Sequence, residues 1–456
     1  MVDGLWGPAR TGFWSVSVLV LVLVLALVTG AAAAQEPVDA LLASLQPSAM
    51  RHLAEEALER NPDIARARAA AGAAAARAPQ VRSLPDPVAA LTLFLLSPET
   101  RVGPQRLTAS ISQRLPWWGK LPLREQAALQ HAAMLRAEVE ARRLEVLTEA
   151  RRQALELAFV EVQRHLAQHE VEHLVRHEEA ARSRYTTGHG LQQGVLKVQA
   201  EITRAEQRLL EIEAREASLR VALNALRDRP ADTPLPRLEL AAAVPSGALL
   251  PTAVLHQHGL ERRPEMAAAA AGVARGETLV LLAEKAGLPD LTFGVGYTLV
   301  DRRGDAPGRL NPPPDDGDDI LSVMASASLP VRKARIAASL EEALALQTQA
   351  TEERRRARLA IERQVDALVA RIPLLVEQLN LFDTVLVTQA DAALASAESA
   401  YATGALNALE LLDAEHVLFH VRLGAARVRA DLAVAWAELE GAVGGPMPDP
   451  EGERHE

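Results

Sequence analysis

The stretch HEVEHLVRHEE, residues 169 to 179, contains the spacing H-E-x-x-H. On a helix this sets two imidazoles one turn apart with a carboxylate beside them, the pattern of a zinc peptidase. His165 and His177 extend the series to four histidines at four-residue intervals. A peptidase also needs a third ligand, a general base and a substrate cleft. A long helix without turns offers no cleft, so the chain reads as a non-enzyme with no cofactor. Two other chemistries stay open for His173 and His177. Imidazoles at i and i+4 chelate a divalent cation, and a stripe of imidazoles responds to pH. A solvated helix face is the plain alternative.

A second cluster lies in ALELLDAEHVLFH, residues 408 to 420. Glu410 and Asp413 are one helical turn apart and point the same way. His416 and His420 repeat the i,i+4 spacing. Counted from the nearest turn, they lie at nearly the depth of His173 and His177, so all four define a metal-contacting zone. Copies of Glu410 and Asp413 around a narrow opening would focus negative potential and favour cations.

Elements must position these groups, and composition bounds them. Of 456 residues, 49% are apolar yet only 3% aromatic. Ala, Leu, Glu and Arg dominate, as in long helices and coiled coils. The net charge of −10 argues against a nucleic-acid partner. No cysteine is present, which excludes disulfides and thiolate metal sites. Phe13 to Val28 is a short apolar run followed by TGAAAAQ. It reads as a secretory signal cleaved near Ala34, with an uncleaved anchor as the alternative. No later stretch reads as a membrane-spanning helix.

The chain repeats itself. ERNPDIARARAAAG resembles ERRPEMAAAAAGVA, and LPD at 84 to 86 returns at 288 to 290. ISQRLPWWGKLPLREQA parallels SASLPVRKARIAASLEEA, and RYTTGHGLQQ parallels AYATGALNAL. Each half reads as helix, two strands, very long helix, turn, long helix. In LTFGVGYTL (291–299) and LSVMASASL (321–329), apolar residues alternate with Ser, Thr and Gly. LTASIS (107–112) does likewise, and VAALTLFLL (88–96) does so poorly. One apolar and one small polar face suits a membrane barrel with a wet interior. A half-buried soluble sheet is the alternative. Four strands cannot close a barrel, and open edges are not tolerated in lipid. Three chains would supply twelve strands.

From Trp118 to about Arg182 no turn signal follows Pro122, which predicts a helix of roughly 100 Å. Val195, Val198, Ile202, Ala205, Leu209, Ile212, Leu219 and Leu226 keep a 3,4 spacing broken at Glu216. The last helix carries two apolar flanks, so it expects a neighbour on each side. Between them runs a polar stripe of Glu410, Asp413, His420 and Arg427, facing a lumen or the outside. Gly188 and Gly404 supply left-handed turns between antiparallel helices.

The ordered set of the repeat, ISQRLPWWGK, RYTTG and YATGALNALELLDAEH resembles the TolC-type outer-membrane efflux proteins over residues 48 to 442. The resemblance implies a mainly α fold with four strands per chain in a shared trimeric barrel of the outer membrane. It implies a helical periplasmic tunnel, a periplasmic adaptor and an inner-membrane pump of the proton-driven RND type. The function implied is a passive exit duct for drugs or metal cations. A channel for type I protein secretion and a soluble periplasmic coiled-coil adaptor are the alternatives. The same resemblance places Tyr185, Gly188, Tyr401 and Gly404 at the adaptor-docking tip. It makes Glu410 and Asp413 the acidic gate ring, six and nine residues after the turn glycine. Trp117 and Trp118 suit the membrane–water boundary, and the Pro–aromatic–Gly–Lys run there is similar to that of a metal-exporting branch. Two departures stand out. The first-half counterparts of the acids are Gly194 and Lys197. Leu406 stands where some relatives carry a latching arginine, so closure by packing is expected. The expected divisions are a signal at 1–34, an N-terminal segment at 35–47, repeats at 48–226 and 248–442, a proline-rich linker at 227–247 and a flexible tail at 443–456.

Overall fold

The computed structural model describes residues 36–46, 48–97, 99–188, 190–238, 240 and 249–447. The expected signal peptide and most of the C-terminal tail lie outside the described residues. The chain divides into two compact units. One comprises Ala69–Arg136 with Ala267–Arg356, and the other the rest of the described chain.

The first unit holds the sheet. Strands β1 (Val88–Leu93), β2 (Glu99–Thr100), β3 (Gly103–Leu115), β4 (Leu291–Val300) and β5 (Ile320–Ala327) are antiparallel, in the order β1-β3-β4-β5 with β2 paired beside β3. Both halves of the repeat therefore meet at β3 and β4, and among the described residues β1 and β5 are free edges. The register aligns the faces. Ala89, Ile111, Val295 and Val323 form one row, and Leu91, Ala109, Tyr297 and Leu321 the next. On the other face Ala90, Ser110, Gly296 and Ser322 are in line, as are Thr92, Thr108, Thr298 and Ile320.

The apolar face is the exposed one: Leu91, Ile111, Val295, Tyr297, Leu321 and Val323 all lie open, while Gly294, Gly296 and Thr298 are covered. A half-buried soluble sheet would show the reverse, because burying apolar area is what stabilises it. The soluble-adaptor alternative has no use for such a face. The strands run 6, 13, 10 and 8 residues, less uniform than the alternation suggested. β3 outruns LTASIS because Gly103, with φ +117°, folds β2 back onto its start. A Cβ there would strike the Asp301 carbonyl.

The second unit is helical. It holds α1 (Glu36–Ser44), α2 (Ser48–Arg60), α5 (Gln192–Leu226), α6 (Thr252–Arg262), α10 (Val387–Thr403) and α11 (Ala408–Val443). α3 (Pro62–Arg82), α4 (Lys120–Thr186), α7 (Pro264–Glu284) and α9 (Lys333–Leu381) contribute residues to both units, and α8 (Ala306–Leu310) is a short helix of the first. α4 has 67 residues, about 100 Å at 1.5 Å per residue. It contains no glycine, and its Ala, Leu, Glu and Arg content favours the helix throughout. The second-half counterpart is not uninterrupted. α9 passes into α10 through a π turn at Phe382–Leu386.

The main core joins Leu41 and Leu53 of α1 and α2 to Leu147, Leu155 and Leu157 of α4, Leu223 of α5 and Ala430 and Ala433 of α11. A second cluster joins Leu255 of α6 to Val365 and Ile372 of α9 and to Leu432 and Leu439 of α11. α11 thus has the neighbour on each flank that its two apolar stripes demand. The break in the α5 stripe is Glu216, buried and bonded to Arg164 of α4 and Arg220.

One expectation is overturned. Residues 264–287, mostly α7, are long and apolar enough by composition to cross a membrane, and contain an 18-residue window of mean hydropathy 1.4. Runs of alanine and LVLLA raise the average without a single conspicuous stretch. Composition alone does not make α7 a span, and only 22% of that window is buried within the chain.

Candidate functional sites at the strand–helix junction and the hairpin tips

In the sheet unit, the junction between strands and helices is organised by Asp290. It is the last residue before β4 and belongs to the second LPD. Its carboxylate accepts from Lys120 Nζ at 2.8 Å, from Arg114 at 2.8 Å and from the Trp117 backbone N–H at 3.1 Å. Its own N–H donates to Ser328 Oγ at 2.9 Å. Lys120 is buried and also donates to the Leu288 carbonyl at 2.8 Å. Burial pushes the Asp290 carboxyl up, but the Lys120, Trp117 and Arg114 hydrogen bonds outweigh it, and the net value falls to about 2. The clamp explains LPWWGK. Pro116 ends β3, Gly119 turns the chain at φ +85°, and Lys120 starts α4 on its anion. Trp117 and Trp118 meet edge to face at 5.5 Å, with Trp118 open to the surroundings. The first LPD behaves differently: Asp86 is exposed, before the free edge strand β1.

In the helical unit, each hairpin turns on a left-handed glycine, Gly188 at φ +77° and Gly404 at φ +80°. α10 ends on Gly404, whose N–H bonds back to Tyr401 O. α11 begins with a capping box. Asn407 Oδ1 accepts from the N–H groups of Leu409 and Glu410, and the Glu410 carboxylate accepts from Asn407 N at 3.1 Å. Glu410 and Asp413 are both exposed.

The two matched tyrosines part company. Tyr401 is 8% exposed and packs with Ala390, Leu394, Leu411 and Leu418, whereas Tyr185 is 45% exposed. The residue that uses Tyr401 is Arg184, which sequence reasoning missed. Its guanidinium lies 4.1 Å from the ring centroid and donates to the Tyr401 carbonyl. Leu406 packs onto the same cluster.

The histidines divide as well. His165 and His169 meet edge to face at 4.5 Å, and His169 is not among the donors that converge with His173. His416 and His420 stack on each other at 5.4 Å. His173 and His177 instead converge on Glu415 of α11, which the sequence reading passed over. Its signal was numerical: His177 lies eleven residues before Gly188, and Glu415 eleven after Gly404. The polar stripe of α11 is also not uniform. Arg427 leaves it to bond Glu156 of α4 at 2.9 Å and Asp431, with its charge over the Phe159 ring.

A sheet with an exposed apolar face, joined in a twofold repeat to helices of this length, defines a β-barrel-forming channel protein with a helical body. The outer membrane efflux protein family matches residues 53–228 and 255–445, one segment for each half of the repeat, and the chain belongs to that family. It is an outer-membrane channel protein of an efflux system. Family members work in tripartite pumps with an adaptor and an inner-membrane component.

No curated protein matches the chain by sequence. Among solved structures it is similar to the outer membrane protein VceC of Vibrio cholerae, at 21% identity and a TM-score of 0.72 over 88% of this chain and 98% of that one. It is similar to the open state of the MtrE outer membrane channel of Neisseria gonorrhoeae, at 20% identity and a TM-score of 0.70 over 87% and 89% of the two chains. For the CmeC outer membrane channel of Campylobacter jejuni, identity is 15% and the TM-score 0.72 over 88% and 87%. At these identities the likeness establishes the fold.

Proposed function

We propose that three copies of this chain form one exit duct, with a shared barrel of twelve long strands and the helices as its periplasmic wall. The observation that carries this reading is the sheet. It has an apolar exposed face and two unpaired edges, β1 and β5. Lipid tolerates no open edge, and head-to-tail pairing of β5 with β1 of another copy closes the barrel. The LPD pair supports the same reading. Asp290 is clamped where the halves meet within the chain, and Asp86 holds the equivalent place at the free edge. Exposed Leu344, Leu359, Leu374 and Leu381 along α9 offer an apolar flank to a neighbouring copy.

In this reading Trp117 and Trp118 sit at the membrane boundary. The turns at Tyr185, Gly188, Tyr401 and Gly404 form the tip that docks the adaptor. Glu410 and Asp413 form an acidic ring from the second repeat alone, selecting cations. The inner-membrane partner is a proton-driven pump of the RND type, and the cargo is small molecules or metal cations. Residues 1–34 are a cleaved signal, residues 35–47 an N-terminal segment and residues 443–456 a tail. The repeats occupy 48–226 and 248–442, joined by 227–247.

The test is the mass of the detergent-extracted protein by light scattering. The chain with its signal weighs 49.0 kDa. A particle of three chains with cation-selective conductance supports the proposal, and a monomer or dimer sinks it.

A further inference from the structure

We propose that His173, His177 and Glu415 form a binding site for one divalent transition-metal cation that staples α4 to α11. The donor atoms of the three side chains all lie within 4.8 Å of one another. His177 Nε2 is 2.5 Å from Glu415 Oε1, and His173 Nδ1 is 3.3 Å from the same oxygen. Around a tetrahedral zinc with bonds of roughly 2.0–2.1 Å, neighbouring donors are about 3.3 Å apart. Small side-chain rotations bring the set to that spacing. Two imidazoles at i,i+4 on one helix and a carboxylate from the next are a zinc-type donor set, also suited to Cu²⁺, Ni²⁺ and Co²⁺. Mg²⁺ and Ca²⁺ prefer oxygen alone.

Charge points the same way. The Glu415 side chain is 10% exposed, and among the described residues its ion-pair partners are only these two imidazoles. A carboxylate withdrawn from water needs a positive counterpart. Arg422 does not supply it, being held by Asp391 at 2.8 Å. A cavity of about 80 Å³ adjoins two of the three donors, His173 and Glu415, and is lined also by His169, Glu170 and Phe419. It is large enough to admit water beside them. His416 and His420 have no part in it, since they stack on each other and are not among the converging donors.

His177 and Glu415 each lie eleven residues from a turn glycine, and the staple links the α4–α5 hairpin to the α10–α11 hairpin. None of its three ligands belongs to the free strand edges or to the acidic pair Glu410 and Asp413, so its failure and theirs are separately visible. The experiment is titration of metal-stripped, full-length protein in detergent with ZnCl₂ by isothermal calorimetry. One ion per chain is expected, with affinity at least ~10-fold weaker in His177→Ala and in Glu415→Gln. The double variant His416→Ala/His420→Ala should bind like wild type. Thermal melting guards against misfolded variants: zinc should raise the melting temperature of wild type and leave that of Glu415→Gln unmoved. The inference is overturned by absence of stoichiometric binding, by binding indifferent to Glu415→Gln and His177→Ala, or by binding that vanishes with His416 and His420.

Discussion

The guanidinium of Arg184 lies 4.1 Å from the centroid of the Tyr401 ring and donates to the Tyr401 carbonyl. The two residues end α4 and α10, so the contact ties one hairpin tip to the other. A cation over an aromatic face contributes about 1 kcal/mol when partly desolvated. Arg184→Ala and Tyr401→Ala should therefore loosen the tip, read as faster amide exchange at residues 400–410 and higher single-channel conductance. Arg184→Lys should retain part of the effect. Tyr185→Ala, at an exposed ring, should change neither.

Asp290 makes the strand–helix junction depend on acid. Its carboxyl in the folded chain sits at about 2, below the ordinary 3.8. The stabilisation is therefore complete above the unfolded value, about 2 kcal/mol in size, and is lost as pH falls from ~5 towards 2. Asp290→Asn leaves Lys120 buried without its anion and should cost about 3 kcal/mol at neutral pH. The gap in melting temperature between wild type and Asp290→Asn should close as pH drops. A gap that stays constant would show that the charge of Asp290 is not what matters.

Asp86 should behave differently from its repeat partner. Asp86→Asn should leave each chain folded but weaken the oligomer, measured as dissociation in detergent at lower temperature. Equal destabilisation of fold and oligomer by both substitutions would refute the edge-pairing role of Asp86.

The proposed acid ring and the helix cap are separable in spite of sharing Glu410. Asn407→Ala removes the cap, at about 1 kcal/mol of local stability, and keeps both charges. Asp413→Asn keeps the cap and removes one charge per chain. Cation selectivity, measured as reversal potential in a salt gradient, should fall in Asp413→Asn and persist in Asn407→Ala.

Periodicity made most of this fold legible. The alternation of LTFGVGYTL and LSVMASASL, the repeated landmarks and the turn glycines are local signals, and the chain obeys them. What stayed hidden was partnership between distant segments. Arg427 reads as part of a polar stripe until Glu156, on another helix, claims it. Glu415 reads as one more surface acid until α11 is laid against α4. LPD occurs twice in nearly identical form, and only the sheet order tells which aspartate finds its cations within the chain. The π turn at Phe382–Leu386 left no mark either. Its neighbourhood is ordinary helix-forming sequence, and the Phe382 ring lies where a Cβ on Gly424 would stand, 2.8 Å away.

The open edges at β1 and β5 have a consequence for biogenesis. A solitary chain in the bilayer would expose two rows of unsatisfied amides, each costing several kcal/mol. On the proposed closure between copies, membrane entry and subunit counting would be a single event. Surplus chains would stay out of the bilayer instead of leaving half-formed pores in it, the lipid itself proofreading the stoichiometry and sparing the cell the leak.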